Sequence, residues 1–354
     1  MKICLIGKNL TNLVLAKNLS NKNLDVDILF EEKKEKKFSQ RTLAISKENF
    51  NFLLKTNNQM KISAWPVKNI KIYSDINISK ELLEFKNKKK ESFFLVKYID
   101  IFNSFEKLCK KNKKIKLKKL DCLTKKKKYK LVINSDKNTK FYYKKIEKNY
   151  NSAAYTGILY HEKKKINNEA IQIFTKFGPL AFLPLSKTNT SIVFSITNNL
   201  KISKSQILDL VKKYNLKYKI KKINGLEKAN LKFFVPRSYL YKNTLFFGDN
   251  LHRVHPLAGQ GFNMTIRDIK ILSSLIDEKI ELGLELDESL FYDFQKKTKH
   301  LNYIFGMGVD FIHEFFKIDA KTKNILSNSI FGLLGKNKLL QKYANLIADK
   351  GINI

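Results

Sequence analysis

The residues best suited to chemistry lie between Thr244 and Asn263. An apolar run ends at Gly248 and the acid Asp249. Pro256 follows, then Gly259, Gln260 and Gly261, and Phe262 and Asn263 lead into a helical pattern. Two of the chain's 13 glycines fall within three residues here. A strand, a glycine-rich bend and a helix start together line up backbone N–H groups, which bind an anionic or electron-rich ligand without needing a side chain. Glycine lets the backbone approach such a ligand closely. Asp249, coming after an apolar strand and a glycine, is hard to read as a chance surface charge.

The N-terminus offers a second candidate. Residues 2–6 are a buried-type strand closed by Gly7. An apolar-faced helix follows over 10–19, and a second strand over 25–30 ends in Glu31. Strand, glycine turn, helix, strand and acid form a βαβ unit of Rossmann type, and Glu31 falls near the spacing of a ribose-binding carboxylate. Glu31 is equally readable as a strand-end charge beside Glu32. Where Gly-x-Gly-x-x-Gly is expected, the chain has Gly7-Lys8-Asn9-Leu10-Thr11-Asn12. The second glycine admits the pyrophosphate and the third lets helix and strand pack closely. Asn tolerates positive φ, so Asn9 is expected to hold the turn. It does not restore the lost space, and pyrophosphate binding there stays open.

Composition narrows the class. The chain has 354 residues and 43% apolar content, enough for a globular protein of two subdomains. Its net charge of +37 suggests an anionic partner. However, Arg41, Arg237, Arg253 and Arg267 are the only arginines among 69 basic residues, and lysine is spread along the whole chain. This is compositional bias, not a built nucleic-acid surface, and no specific nucleic acid is expected. Lysine runs such as 125–128 and 163–165 read as solvated faces. Cys4, Cys109 and Cys122 show neither a disulfide pattern nor a metal pattern, and Cys4 sits in an apolar strand. His252 and His255 lack further ligands at zinc spacing, so no metal is expected. There is no apolar run long enough to span a membrane, and the first residues lead straight into a strand without a signal peptide. The expected location is cytoplasmic, with the lysine excess allowing peripheral contact with an anionic inner-membrane surface.

The elements that must position these residues follow from periodicity. Short strands are predicted over 68–74 and 93–99, a helix over 102–110, and a strand over 128–134 ending near Asp136. A β-rich middle has strands over 170–174, 181–184 and 191–197, followed by a helix over 202–214. A strand over 245–248 and a helix over 264–276 flank the glycine-rich bend. From Ser289 the pattern is helical to the end, including 291–305 and 338–348. Phe311, Phe315 and Phe316 fall at helical spacing and read as core or partner-facing residues.

Four segments resemble one family, the class A flavoprotein aromatic hydroxylases, and within it the branch acting on ubiquinone precursors. Gly248-Asp249, His252, Pro256, Gly259-Gln260-Gly261, Asn263 and Arg267-Asp268 resemble its second flavin motif. The stretch from Gly178 through Pro184 to Ser186 is similar to the branch's substrate-domain strand. Arg41 to Ser46 and Trp65-Pro66 followed by 70–75 are similar to two further signatures. The resemblance spans nearly the whole chain and implies an α/β fold. Its parts are a discontinuous Rossmann-type FAD-binding domain (1–62, 95–150 and 232–285), an inserted β-rich substrate domain (63–94 and 151–231), and a C-terminal helical segment (286–354).

The resemblance also implies a function. FAD would lie with Gly7 at the pyrophosphate, Glu31 at the adenosine ribose, Arg41 near the flavin and pyrophosphate, and Asp249 at the ribityl chain or pyrophosphate. Pro256 would line the ring, and backbone N–H groups of Gly259, Gln260, Gly261, Phe262 and Asn263 would face its pyrimidine end. A helix start suits the negative charge that reduced flavin carries there. The expected enzyme is an FAD-dependent monooxygenase that hydroxylates a polyprenylated phenol in ubiquinone biosynthesis. It would use O2 and an external reductant such as NAD(P)H or ferredoxin, within a ubiquinone-synthesis complex. The cofactor carries the chemistry, so no catalytic side chain is named. The chain departs from the family at Asn9, Asn12, Lys137, Asn250 and Leu251. These departures motivate the alternative of a non-catalytic relative that serves as a lipid-binding or scaffold subunit.

Overall fold

The computed structural model describes residues 2–31, 41–57, 64–75, 78–79, 81–86, 91, 93–119, 129–136, 145–200, 202–254 and 260–321. In chain order the first elements are β1 (Lys2–Ile6), α1 (Leu10–Asn21), β2 (Asp25–Phe30), β3 (Thr42–Ser46), α2 (Lys47–Thr56), β4 (Trp65–Val67), β5 (Asn69–Ser74) and β6 (Leu83–Lys86). Next come β7 (Phe93–Lys97), α3 (Tyr98–Lys111), β8 (Ile115–Lys119), β9 (Leu131–Asn134), β10 (Lys145–His161), β11 (Glu169–Thr175), β12 (Gly178–Pro184) and β13 (Asn189–Thr197). The last are α4 (Lys204–Lys213), β14 (Ile220–Pro236), β15 (Leu240–Tyr241), β16 (Thr244–Phe246), a 3-10 turn (Gly248–Asn250), α5 (Gln260–Glu281) and α6 (Ser289–Lys321).

The first sheet has the order β15-β16-β9-β1-β2-β8. All its pairings are parallel except β15 with β16. Parallel strands are buried on both faces and read as continuous apolar runs, as Lys2–Ile6 does. Alternation along β1 sends Ile3 and Leu5 into the main core and Cys4 and Ile6 to a smaller cluster on the other face. The main core joins Leu13 and Val14 of α1, Ile101 and Phe105 of α3, Ile266 and Ile269 of α5, and Phe291 and Phe294 of α6. Cys4 and Cys109 are buried thiols, and burial pushes Cys109 up to about 12. Cys122 lies outside the described residues.

The second sheet has the order β14-β10-β13-β12-β11-β5-β6 and is antiparallel apart from β11 with β5. Ile171, Ile173, Leu180, Phe182, Ile192 and Phe194 share one face, which α4 covers with Ile207 and Val211. Ser203 caps α4 in a reciprocal capping box with Gln206. The other face carries Ile158, Ala170 and Leu185 against Ala44, Val67 and Leu95 of a third, small sheet with the order β3-β7-β4.

The longest strands, β10 and β14, are 17 residues each. Periodicity did not predict them, because one edge faces water and is written in Lys, Glu and Asn, and three irregularities break the alternation. They run unbroken through residues 150–151 and 231–232, where the sequence reading drew domain limits. The short helix α2 was also not predicted. Its burial is limited to Asn49, Phe50, Leu53 and Thr56. The expected strand over 93–99 ends at Lys97, and α3 starts at Tyr98. The expected helix over 338–348 lies outside the described residues. Among the described residues no helix is long and apolar enough to cross a membrane, and no group of His, Cys, Asp and Glu could hold a metal ion.

Candidate functional site

Strand β1 lies between β2 and β9, so the connections run to one side through α1 and to the other through β9 and β16. Open α/β sheets bind ligands at such a switch point, outside the carboxyl ends of the strands. Gly7, Glu31 and Asp249 lie there, after the carboxyl ends of β1, β2 and β16. Gly7 ends β1 with φ +103°, and its N–H donates to Leu29 O at 2.8 Å. A Cβ on Gly7 would meet Asp136 Cβ at 3.0 Å and Asp136 Cα at 3.1 Å. Glycine is therefore required twice here, for its conformation and for the close passage of the loop after β9. Gly248 has φ +60°, and its Cβ would meet the Thr11 side chain at 3.0 Å.

The strand ends are tied into one rim. Phe247 N donates to Asn134 O at 2.9 Å, and Asn134 Oδ1 accepts from Asp136 N at 2.9 Å. Asn250 replaces a small residue of the family motif, yet it is not an idle intrusion. Buried, it donates from Nδ2 to Asn134 O at 3.2 Å and to Asp136 O at 3.1 Å. Leu251 fills the core. On the rim, Glu31 and Asp249 are exposed. The backbone O of Asp249 accepts from Arg253 Nε at 2.8 Å, while no described residue hydrogen-bonds its carboxylate. The carboxylate is thus open to an external donor.

Asn9 does not hold the turn through positive φ, as the sequence had suggested. It is extended, at φ −138° and ψ 170°, and acts as the N-cap of α1 by accepting from Asn12 N. An extended N-cap has no use for the left-handed conformation, because Gly7 already makes the reversal.

The start of α5 is a second gathering point. Gln260 is its first residue, while Pro256, Gly259 and His255 lie outside the described residues. A Cβ on Gly261 would meet no described atom within 4 Å. The described residues thus place no steric demand for glycine at 261. Phe262 packs against the main core. The Asn263 side chain is committed to the protein: Nδ2 donates to Ala44 O at 2.8 Å, and Oδ1 accepts from Ser46 N at 3.0 Å and Asn49 Nδ2 at 3.1 Å. This bracket fixes the helix start against the β3–α2 corner. Arg41, just before β3, is exposed with its guanidinium 5.1 Å from the Tyr98 ring centroid. Neither Ser46 nor Asn49 stood out as a positioning residue in the sequence, since small polar residues at a strand–helix junction carry no spacing signal.

Behind this loop lies a buried polar network. His252 Nε2 is 2.7 Å from Asp268 Oδ2, and both side chains are almost fully buried. Asn302 Nδ2 donates to Asp268 Oδ1 at 3.2 Å, and Arg267 donates to Asn302 Oδ1. Burial and the nearby Asp268 charge push the Tyr239 hydroxyl up. The network ties the turn after β16 to α5 and α6. Asp268→Asn should cost about 1–3 kcal/mol, because an amide N–H2 would then face a donor in a buried site. Chemical denaturation of the variant checks this, and unchanged stability would remove the network from the account.

The residues present fit a dinucleotide with a flat, electron-rich end. Exposed carboxylates stand at two strand ends, a positive-φ glycine turns at the switch point, and at a helix start no described atom crowds Gly261. The positive end of α5 favours an anion there. The departure is at Asn9 and Asn12, where side chains stand in place of bare backbone.

No family model matches the chain. It is 25% identical over 235 residues to the ubiquinone biosynthesis monooxygenase COQ6, mitochondrial, of Xenopus tropicalis, covering 55% of this chain and 50% of that protein. It is 24% identical over 235 residues to the Caenorhabditis elegans protein of that name, covering 54% and 52%. The chain thus spans about half the length of the curated relatives it matches. Among solved structures it superposes on p-nitrophenol 4-monooxygenase PnpA of Pseudomonas putida DLL-E4 with a TM-score of 0.78 at 11% identity, covering 100% of both chains. It superposes on pqsL, a probable FAD-dependent monooxygenase of Pseudomonas aeruginosa, with a TM-score of 0.69 at 12% identity, covering 91% of this chain and 99% of that one. The chain is therefore similar in sequence to the ubiquinone biosynthesis monooxygenases and has the α/β fold of FAD-dependent monooxygenases.

Proposed function

We propose that the chain acts as an FAD-dependent monooxygenase hydroxylating the aromatic ring of a polyprenylated phenol in ubiquinone biosynthesis. The observation that carries this reading is the start of α5. No described residue demands glycine at 261, which lies at the positive end of a helix whose start the Asn263 side chain ties to Ala44. A ligand that must touch the backbone explains glycine at that position. The name of the curated relatives, ubiquinone biosynthesis monooxygenase, supports this choice of substrate.

In this reading Glu31 accepts from the ribose, Gly7 turns the chain beside the pyrophosphate, and Asp249 accepts from ribityl hydroxyls. Arg41 adds positive charge near the same groups. The first N–H groups of α5, from Gln260 to Asn263, face the pyrimidine end of the ring, with Pro256 and Gly259 beside them. FAD bound there would supply O2 activation and transfer of one oxygen atom, with an external reductant such as NAD(P)H or ferredoxin providing two electrons. The protein's part is to orient the ring, place fixed dipoles against its charge and exclude water. The β-rich sheet serves as the substrate domain, and the division into flavin, substrate and C-terminal segments belongs to this proposal. So do contact with an anionic inner-membrane surface from the cytoplasmic side and membership of a ubiquinone-synthesis complex.

The test begins with the visible absorption spectrum of gently purified protein, with FAD added if it is colourless. A flavin spectrum that survives desalting supports the reading, and hydroxylation of a polyprenylated phenol with reductant and O2 should follow. A folded protein that stays colourless in excess FAD would overturn it in favour of a non-catalytic, lipid-binding or scaffold role.

A further inference from the structure

A glycine fingerprint leaves the donors of its helix start bare, and the phosphates of the ligand complete the turn. Here side chains complete it. Asn9 Oδ1 accepts from Asn12 N at 3.1 Å, which satisfies one donor of the first turn of α1. Asn9 Nδ2 reaches across the switch point and donates to Ser135 O at 3.0 Å and to Ser135 Oγ at 2.9 Å. Asn12 is fully buried and donates from Nδ2 to Ile6 O at 2.9 Å and to Gly7 O at 2.7 Å. Ile6 O also accepts from Ser135 N at 3.1 Å, so the end of β1, the start of α1 and the loop after β9 meet in one set of bonds.

None of these side-chain bonds can be made by glycine. They fall at the two positions where the fingerprint has glycine. A buried amide at position 12 is costly unless its donors are used. The Asn12 donors are spent on the turn's own carbonyls, its Oδ1 is buried without a hydrogen bond to any described residue, and Asn9 supplies the cap.

We propose that Asn9 and Asn12 are positioning residues forming a ligand-independent lock across the switch point, a compensated replacement of the glycine fingerprint and not its decay. The turn is ordered before any nucleotide arrives, and a nucleotide that binds there has no turn left to order. Restoring the glycines therefore weakens the site. Only the binding arm of the test rests on the flavin reading above.

The full-length, cofactor-free protein is compared with Asn12→Ala, Asn9→Gly/Asn12→Gly and Asn9→Asp by thermal melting and by amide hydrogen exchange of α1. Asn12→Ala raises helix propensity, so a fall in its melting temperature comes from the lost amide, its bonds and its packing, and not from the backbone. The expected result is a drop of several degrees and faster exchange at the start of α1. Unchanged melting and exchange would overturn the lock. In the binding arm, FAD and riboflavin are titrated by fluorescence. The double-glycine variant should bind FAD several-fold more weakly than wild type, and tighter binding would overturn the proposal. Asn9→Asp keeps the cap oxygen but loses the donor to Ser135 and adds negative charge. It should lose FAD affinity while riboflavin, which has no phosphate, is unaffected. An equal loss for both ligands would reduce Asn9 to a purely structural residue and overturn its positioning role. If the double-glycine variant does not fold, Asn12→Ala and Asn9→Asp still decide. If no form of the protein takes up FAD, the functional reading fails while the melting and exchange arm still judges the lock.

Discussion

Asp249→Ala is expected to give a folded protein that does not retain flavin through desalting. The side chain is exposed, and no described residue hydrogen-bonds its carboxylate, so its removal takes nothing from the fold. Surface changes of that kind stay within about 0.5 kcal/mol. Yet Asp249 stands beside Gly248, which passes against Thr11 of α1 and thereby fixes the 3-10 turn at the rim. In the proposed reading, a carboxylate held there accepts a charge-assisted bond from a ligand hydroxyl. Losing such a bond costs about 1.5–3 kcal/mol, or roughly 10–100-fold in affinity. The checks are an FAD titration and a melting curve on the same sample. Full flavin retention would remove Asp249 from the site, and a large fall in melting temperature would make it structural.

Gly178→Ala is expected to destabilise the β-rich sheet by at least about 3 kcal/mol, with no direct effect on the flavin site. Gly178 opens β12 at φ +131°, and a Cβ there would lie 2.1 Å from Ser195 O. That oxygen belongs to β13, whose register with β12 is fixed by pairs such as Leu180 with Phe194 and Phe182 with Ile192. Those side chains are buried beneath α4, so β13 has no room to retreat. Thr175 Oγ1 also donates to Gly178 O at 2.7 Å, tightening the hairpin turn. Denaturant unfolding checks the size of the effect. A loss below about 1 kcal/mol would mean that the strand shifts freely.

The glycine at the centre of the switch point, Gly7, was legible in the sequence only in part. Gly7 was read as the first residue of a damaged fingerprint, and its position at a strand end was correct because apolar runs and turn residues are local signals. What demands glycine there is Asp136, 129 positions further along the chain. Asn9 and Asn12 read as losses, because a sequence pattern records which residue is missing and not which bond replaces it. Asn250 was misread in the same way, as a larger residue in a small space, when its amide joins two strand ends. Asn263 was assigned to the ligand through its backbone, and its side chain proved to hold the helix to β3.

The sequence by itself determined the βαβ start, the strand before Gly248, the helix that follows and the β-rich middle, since each is written in neighbouring residues. Only the tertiary structure decided that β10 and β14 run across the middle as long partners, that Ser135 and Asn9 bridge the switch point, and that Asp268 pairs with His252 and Asn302. Each of these joins residues distant in the chain or hides a polar contact inside a packed interior. Hydrogen bonds of that kind depend on distances that folding sets and local composition does not encode.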